Sequence, residues 1–267
     1  MVFAMWGGEW DILWLDEVDS TNTYVRERAR QGTAEGLVVV AEHQTAGRGR
    51  LDRRWESPPG ANLLASVLLR PACEEAEVYL CTSAVALAGA DACSVVAGVE
   101  PVLKWPNDLL AGPDQAKLAG ILAEAEFSGG ALSAVVVGIG INVAWRGPEV
   151  VAGTCLDDLR AIADPVDRHE LLERMLVHLA LRRPLLDDVG GRRQLADEVR
   201  RRCVTIGRRV RVALAGEELV GQAVGIDDAG RLVVETASGT RTVSAGDVVH
   251  VRASPEAEPD ATPPTPV

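Results

Sequence analysis

The chain has 267 residues, 47% of them hydrophobic, and 27 basic against 39 acidic side chains leave a formal net charge of -12. There is enough apolar sequence for one large domain and a small one, while the acidic balance opposes general affinity for nucleic acid, whose phosphates demand a basic surface. No run approaches the roughly 20 uninterrupted apolar residues of a membrane helix. The start, MVFAMWGGEWDILWLDE, lacks the basic flank and cleavage site of a leader, so a cytoplasmic protein is expected. Five cysteines without a CxxC pair and four scattered histidines indicate neither a disulfide framework nor a zinc cluster. The cysteines read as small buried hydrophobes.

Taken in chain order, DILWLDEV (11–18) predicts a strand. Asp19 or Ser20 then N-caps a helix through TNTYVRERAR (21–30), closed by Gly32. GLVVVAEHQ (36–44) reads as a core strand and NLLASVLLR (62–70) as another. Between them, TAGRGRLDRRWESPPGA is glycine- and proline-punctuated, charged and without apolar period: a loop too long for mere connection. VYLCTSAVALAGADACSVVAG (78–98), with Asp91 as its one charge, predicts a helix packed closely against a sheet. PVLKWPNDLLAG (101–112) predicts a short strand interrupted at Pro106, and residues 117–145 two strands joined at Ser128, Gly129 and Gly130. DRHELLERMLVHLALRR (167–183) and RRQLADEVRRRC (192–203) have helical spacing. From about residue 204 the texture changes to four or five short alternating strands split by AGEE, DDAG and ASGT, a small antiparallel barrel. The last residues, from 253 to 267, are proline-rich and acidic, with the composition of a disordered tail.

Two polar stretches stand out against this apolar background. In GRGRLDRR, Gly47 and Gly49 let backbone approach a ligand closely, while Arg48, Arg50, Arg53 and Arg54 offer permanently charged forked donors. KWPND gathers Lys104, Asn107 and Asp108 at a proline-stiffened bend beside Trp105. A cationic loop beside an acid and an amide points to phosphate chemistry with a divalent metal, although neither stretch is a Walker loop. GIGINV has the first two glycines of a dinucleotide fingerprint and lacks the third. Taken singly, an arginine-rich loop also fits a solvated turn, and Trp105 a core aromatic.

Their combination and order are more specific. STN (Ser20, Thr21, Asn22), EHQTAGRGR with Arg53 and Trp55, KWPNDLL, KLAGIL from Lys117 and GIGIN ending at Asn142 together resemble the biotin protein ligase family over roughly residues 12–250. The resemblance implies an α+β catalytic domain over residues 1–203, built on a mixed sheet flanked by helices in the manner of class II synthetases, and a C-terminal barrel of the Src-homology 3 type over 204–252. It implies activation of biotin with ATP and Mg2+ as enzyme-bound biotinyl-5'-adenylate, then transfer to a lysine of a biotin carboxyl carrier protein domain. Both reacting partners are anionic, so the arginine loop would shield them and stabilise the charge that develops. Carried over residue by residue, the biotin contacts fall on Ser20, Thr21, Asn22, Gln44, Gly47, Arg48 and Gly49, with Arg50 and Lys117 at the carboxylate. ATP and adenylate contacts fall on Arg50, Arg53, Trp55, Asn107, Lys117 and Asn142. Arg50, Lys117 and Asp108 are the catalytic candidates, Asp108 either orienting magnesium or accepting the proton of the incoming lysine.

Departures and rivals shape the remaining expectations. LLAGPDQA, between KWPND and Lys117, looks like a small insertion that lengthens a turn. The bifunctional members carry a winged-helix DNA-binding domain ahead of the catalytic core; with about 11 residues before the first expected strand, the chain looks monofunctional, with no nucleic-acid or membrane partner, and monomeric or weakly dimeric. The loop over 46–60 is expected to order on adenylate formation. A lipoate–protein ligase on the same fold, a non-catalytic biotin-responsive regulator and a carrier-binding protein without turnover are the competing readings. Arg200 to Arg202, Arg208, Arg209 and Arg211 fit either carrier docking or an ordinary surface of mixed charge.

Overall fold

The computed structural model describes residues 2–6, 10–214, 217–244 and 246–251, so the expectation for the tail over 253–267 lies outside the described residues. Eight strands make the larger sheet: β1 (Val2–Trp6), β2 (Trp10–Val18), β3 (Leu37–Gln44), β4 (Leu63–Leu69), β5 (Val102–Lys104), β6 (Asp108–Ala111), β7 (Ala116–Ser128) and β8 (Ala131–Ile141). Their order is β1-β2-β3-β4-β8-β7-β6-β5. β2 and β3 run parallel, joined by the crossover helix α1 (Thr21–Arg30), and the other neighbours are antiparallel. The sheet is mixed, as the α+β reading requires.

β1 corrects the sequence reading, which began the strands at residue 11. A five-residue apolar run carries no period that marks a strand, yet it pairs back on β2, with Val2 opposite Leu13 and Trp6 opposite Trp10. KWPND is likewise more regular than expected: it turns between β5 and β6, with a cis Trp105–Pro106 peptide. Ser20 stands at the N-cap of α1 with extended backbone, but its hydroxyl caps nothing in the helix. The residues read as an insertion form the turn between β6 and β7, with Gly112 and Gln115 at positive φ.

Alternation along the strands places two cores on opposite faces. Leu37 and Val39 of β3, Leu68 of β4 and Ala134 and Val136 of β8 pack under α1 with Val25 and Ala29. Val38, Val40, Val67, Leu69, Val135 and Val137 face the other way, into the larger core. That core is roofed by α2 (Val78–Ala97), α4 (Arg168–Arg182) and α5 (Val189–Arg202). A short α3 (Leu156–Leu159) precedes α4. With both faces covered, β4 is buried at every residue, which is why it reads as a continuous apolar run. The span 75–97 is, by length and composition, apolar enough to cross a membrane, contrary to the sequence reading; 78% of its apolar window is buried, so it is the core helix. Four cysteines are buried and Cys73 partly so, all of them free.

The smaller sheet contains β9 (Arg209–Ala213), β10 (Glu218–Ile226), β11 (Leu232–Thr236), β12 (Gly239–Val243) and β13 (Asp247–His250), antiparallel in the order β12-β11-β10-β9-β13. It docks on the larger, eight-stranded part through Trp105, which is 1% exposed. The Trp105 backbone N–H donates to Thr205 Oγ1 at 3.0 Å and its indole N–H to the Gly230 carbonyl at 3.0 Å. Arg200 reinforces the junction with bonds to the Ile226 carbonyl at 2.5 Å and to Asp228 at 2.6 Å. Arg202 pairs with Asp91 at 2.6 Å and Arg208 with the Gln115 amide at 3.1 Å, so these arginines serve internal contacts.

Candidate active site

α1 covers only part of its face of the sheet. Beyond its N-terminus the residues that point the same way shrink to glycine: Gly138 and Gly140 continue the Ala134, Val136 row of β8, and Gly120 lies opposite Gly140 on β7. GIGIN is therefore a strand with glycine on one face and Ile139 and Ile141 in the core on the other, and not a nucleotide loop. A cleft of about 580 Å³ opens over this bare floor. The 45–61 loop forms its roof, returning on itself through Gly49 N–H to Arg53 carbonyl at 2.7 Å and Trp55 N–H to Gly47 carbonyl at 3.0 Å.

Glycine is required where parts approach most closely. A Cβ at Gly140 would stand 2.5 Å from the Trp55 ring, one at Gly120 2.9 Å from it, and one at Gly138 2.2 Å from Asn22 Oδ1. Trp55 thus lies on the glycine floor, and its indole nitrogen is buried without an acceptor among the described residues. Lys117 Nζ sits 5.6 Å from the ring centroid, within cation–π reach.

The cleft has two chemically distinct ends. At the α1 end, uncharged groups form a chain: Thr21 N–H and Oγ1 donate to Gln44 Oε1 at 2.8 and 3.1 Å, and the Ser66 hydroxyl lies 2.7 Å from Thr21 Oγ1 and 2.6 Å from Asn22 Oδ1. The other end carries charge. Lys117 Nζ pairs with Asp108 at 2.7 Å, Arg50 donates to Asn107 Oδ1 at 3.1 Å, and the Asn107 amide is fixed by the Ile121 carbonyl at 2.8 Å. The chain's two lysines, Lys104 and Lys117, both line this cleft. Arg54 is tied back to the Thr45 carbonyl at 3.1 Å.

Of the positions singled out from sequence, all but Gly47 line the cleft. Gly47 is buried beneath the roof, where a Cβ would meet the Trp55 carbonyl oxygen at 2.3 Å; it lets the loop cross itself. Asn142 lines the cleft with its amide hydrogens committed to the carbonyls of Thr154 at 3.0 Å and Arg146 at 3.2 Å, so it shapes the wall that follows β8. Asp108 is ion-paired to Lys117, and among the described residues no three His, Cys, Asp or Glu side chains converge on a metal site. Sequence reading missed the buried Ser66 behind Thr21 and Asn22, the glycine floor and the 146–151 wall, while Lys104, noted in KWPND, lines the cleft. Of these, only the glycines had a signal, their alternation with isoleucine.

Comparison with known proteins agrees with this geometry. Residues 14–142 match the Biotin/lipoate A/B protein ligase family and residues 205–251 the Biotin protein ligase C terminal domain. The chain is 42% identical over 243 residues to a biotin--[acetyl-CoA-carboxylase] ligase of Mycobacterium tuberculosis, covering 88% of this chain and 87% of the relative. It is 31% identical over 240 residues to the same-named enzyme of Paracoccus denitrificans, covering 88% and 98%. Among solved structures, a biotin protein ligase from Aquifex aeolicus in complex with biotin and ATP superposes with a TM-score of 0.75 at 27% identity, covering 91% of this chain and 99% of that one. The superposition spans both the larger sheet and the smaller barrel, and the chain belongs to the biotin protein ligase family.

Proposed function

We propose that this chain joins biotin and ATP into biotinyl-5'-adenylate, releasing pyrophosphate, and then passes the biotinyl group to a lysine of a carrier domain of a biotin-dependent carboxylase. The observation that carries the reading is the division of one cleft into a neutral polar end and a cationic end. The Thr21, Gln44 and Asn22 side chains, backed by Ser66, offer both donors and acceptors to a polar ureido head, while Leu64, Ala65 and Leu122 of the lining accept an apolar chain. Lys117 and Arg50 wait where the carboxylate and the α-phosphate would meet. Bringing two anions together is repulsive, and fixed cations in a partly enclosed cleft lower that cost before reaction begins.

In the first step a biotin carboxylate oxygen attacks the α-phosphorus and the bond to the β-phosphate oxygen breaks. In the second, the ε-amine of the carrier lysine attacks the acyl carbon and AMP leaves with the bonding electrons. Asp108 holds Lys117 in place for the first step and is positioned to take the amine proton in the second. Magnesium fits as part of the MgATP substrate, because Mg2+ is typically held by one or two carboxylates together with phosphate oxygens. Asp108, beside Lys117, and Glu56 of the loop are the carboxylates that line the cleft, and Asp108 is the one at its cationic end. Cytoplasmic action on a carrier protein belongs to the same reading.

Pyrophosphate release measured with biotin, with lipoate and with neither tests it. Biotin-dependent release, lost in Lys117→Ala and Arg50→Ala, is the expected result. Release with lipoate alone would keep the fold and reassign the substrate; silence of the folded protein with both acids would remove the enzymatic reading.

A further inference from the structure

Glu124 was not among the residues read from sequence, yet it binds three side chains from two different parts of the site. Its Oε2 accepts from Arg48 at 2.5 Å and from the Asn22 amide at 2.9 Å, and its Oε1 accepts from Arg26 at 2.6 Å. The arrangement follows from matched periods. Asn22, Arg26 and Arg30 repeat every four residues along α1, about 6 Å of rise per step, while Leu122, Glu124 and Glu126 repeat every two along β7, about 6.7 Å per step. The two rows therefore engage tooth for tooth: Asn22 on the Leu122 carbonyl and Glu124, Arg26 on Glu124 and Glu126, Arg30 on Glu126. Arg30, with Arg26, holds the Glu126 carboxylate below its ordinary range.

The row does not stop at the helix. At Glu124 it takes on Arg48, a residue of the roof, so one carboxylate joins the mobile-looking composition of the GRGR segment to the first turn of α1 and to the sheet. Glu124 is 17% exposed and Arg48 41%, so the contact is screened from solvent mainly on the glutamate side. Arg48 thus pairs with a carboxylate of the sheet, whereas Arg54 is tied back to the Thr45 carbonyl of its own loop. With its side chain turned to Glu124, Arg48 lines the cleft between Gly49 and the buried Gly47.

The geometry points to Glu124 as a positioning residue that holds the 47–49 backbone over the neutral end of the cleft, and thereby sets affinity for the acid substrate and not the rate of the chemical step. The inference rests on the proposed biotin-activating function. Its consequence is a split between KM and kcat, since the residue touches neither the reacting carboxylate nor the phosphate.

The experiment compares wild type with Glu124→Gln, Arg48→Met, the double variant and Glu126→Gln. For each, biotin KM and kcat are measured by pyrophosphate release, and amide hydrogen exchange over residues 46–55 is followed without ligand. Glu124→Gln should raise the biotin KM by roughly ten- to a hundredfold, the range of a lost charge-assisted bond, with kcat changed less than about twofold and faster exchange in the loop. Arg48→Met, on the exposed side of the pair, should do the same, and the double variant should be no worse than either single one. Glu126→Gln breaks the neighbouring pairs with α1 and should leave KM and the loop as in wild type. An unchanged KM in Glu124→Gln, an equal rise in Glu126→Gln, or additive losses in the double variant would overturn the assignment. If wild type released no pyrophosphate from biotin and ATP, the proposed function would fail instead. The exchange measurement would then decide alone, and equal loop exchange in wild type and Glu124→Gln would overturn the positioning role.

Discussion

Two tryptophans of this chain sit in regions built to opposite ends. Trp105, at the junction of the two sheets, is 1% exposed, with its backbone N–H and its indole N–H both bonded across the junction. Trp55, in the cleft, lies on glycines, carries a buried indole N–H without an acceptor among the described residues, and belongs to a loop of charged side chains. A buried donor left unpaired costs about 1–3 kcal/mol, which packed cores avoid and ligand sites tolerate. The contrast teaches where the molecule is finished and where it awaits a partner. Trp105 ends a packing problem, whereas Trp55 leaves one open.

The strongest test of that contrast is truncation of each ring. Trp105→Ala should lose about 3–5 kcal/mol of stability in denaturant unfolding, because a fully buried indole and its bond to the barrel disappear together. Trp55→Ala should keep the unfolding midpoint near that of wild type and lose pyrophosphate release; equal destabilisation of both would erase the distinction. Next in size, Lys117→Ala should reduce biotin-dependent pyrophosphate release by about a hundred- to a thousandfold, as removal of a preorganised charge at a reacting centre does, with thermal unfolding unchanged.

A smaller effect is expected from filling the floor. Gly140→Ala places a Cβ 2.5 Å from the Trp55 ring, so the ring must tilt. The biotin KM should rise about tenfold in steady-state assays, and a KM equal to that of wild type would show that the ring's seat does not matter. The smallest effect belongs to the junction. His250 Nε2 lies 3.2 Å from Thr205 Oγ1, and burial, helped by Lys104 and Arg208, lowers its pKa from the ordinary 6.5 to about 4. The folded state therefore binds fewer protons than the unfolded state between those values. Stability is full above pH 6.5 and is lost as pH falls towards 4, by about 1 kcal/mol once solvent screening of a half-exposed group is allowed for. Thermal unfolding of His250→Gln between pH 7 and 4.5 should show a shallower slope than wild type. Asp91 adds nothing in that window: burial would raise it, but Arg202 and Arg182 hold it below its ordinary value, so its contribution is lost at lower pH.

Much of the site was legible because its chemistry is local in sequence. GRGR, KWPND and KLAGIL each carry their polar groups within a few residues, and the structure brings Arg50, Asn107, Asp108 and Lys117 to one end of one cleft. What escaped were residues whose role depends on a partner far along the chain. Ser66 reads as an interruption in an apolar strand until Thr21 and Asn22 are laid beside it, and Glu124 as an ordinary surface acid until Arg48 reaches it. Asn142, assigned to the ligand by its motif, lines the cleft, and only the structure shows that its amide is oriented by the carbonyls of Arg146 and Thr154.

By itself, the sequence determined the two-part architecture, most of the element boundaries and the cationic character of the site, because periodicity, turn residues and charge clustering are properties of neighbouring positions, and its series of motifs carried the resemblance to the family. The tertiary structure alone decided that β1 joins the sheet edge and that GIGIN is a floor. It also decided that Gly47 lies under the roof and that Glu124 ties roof, helix and sheet together. Those outcomes depend on strand register and on which face of the sheet a helix covers, and register is set by packing between segments tens of residues apart, which no local pattern records.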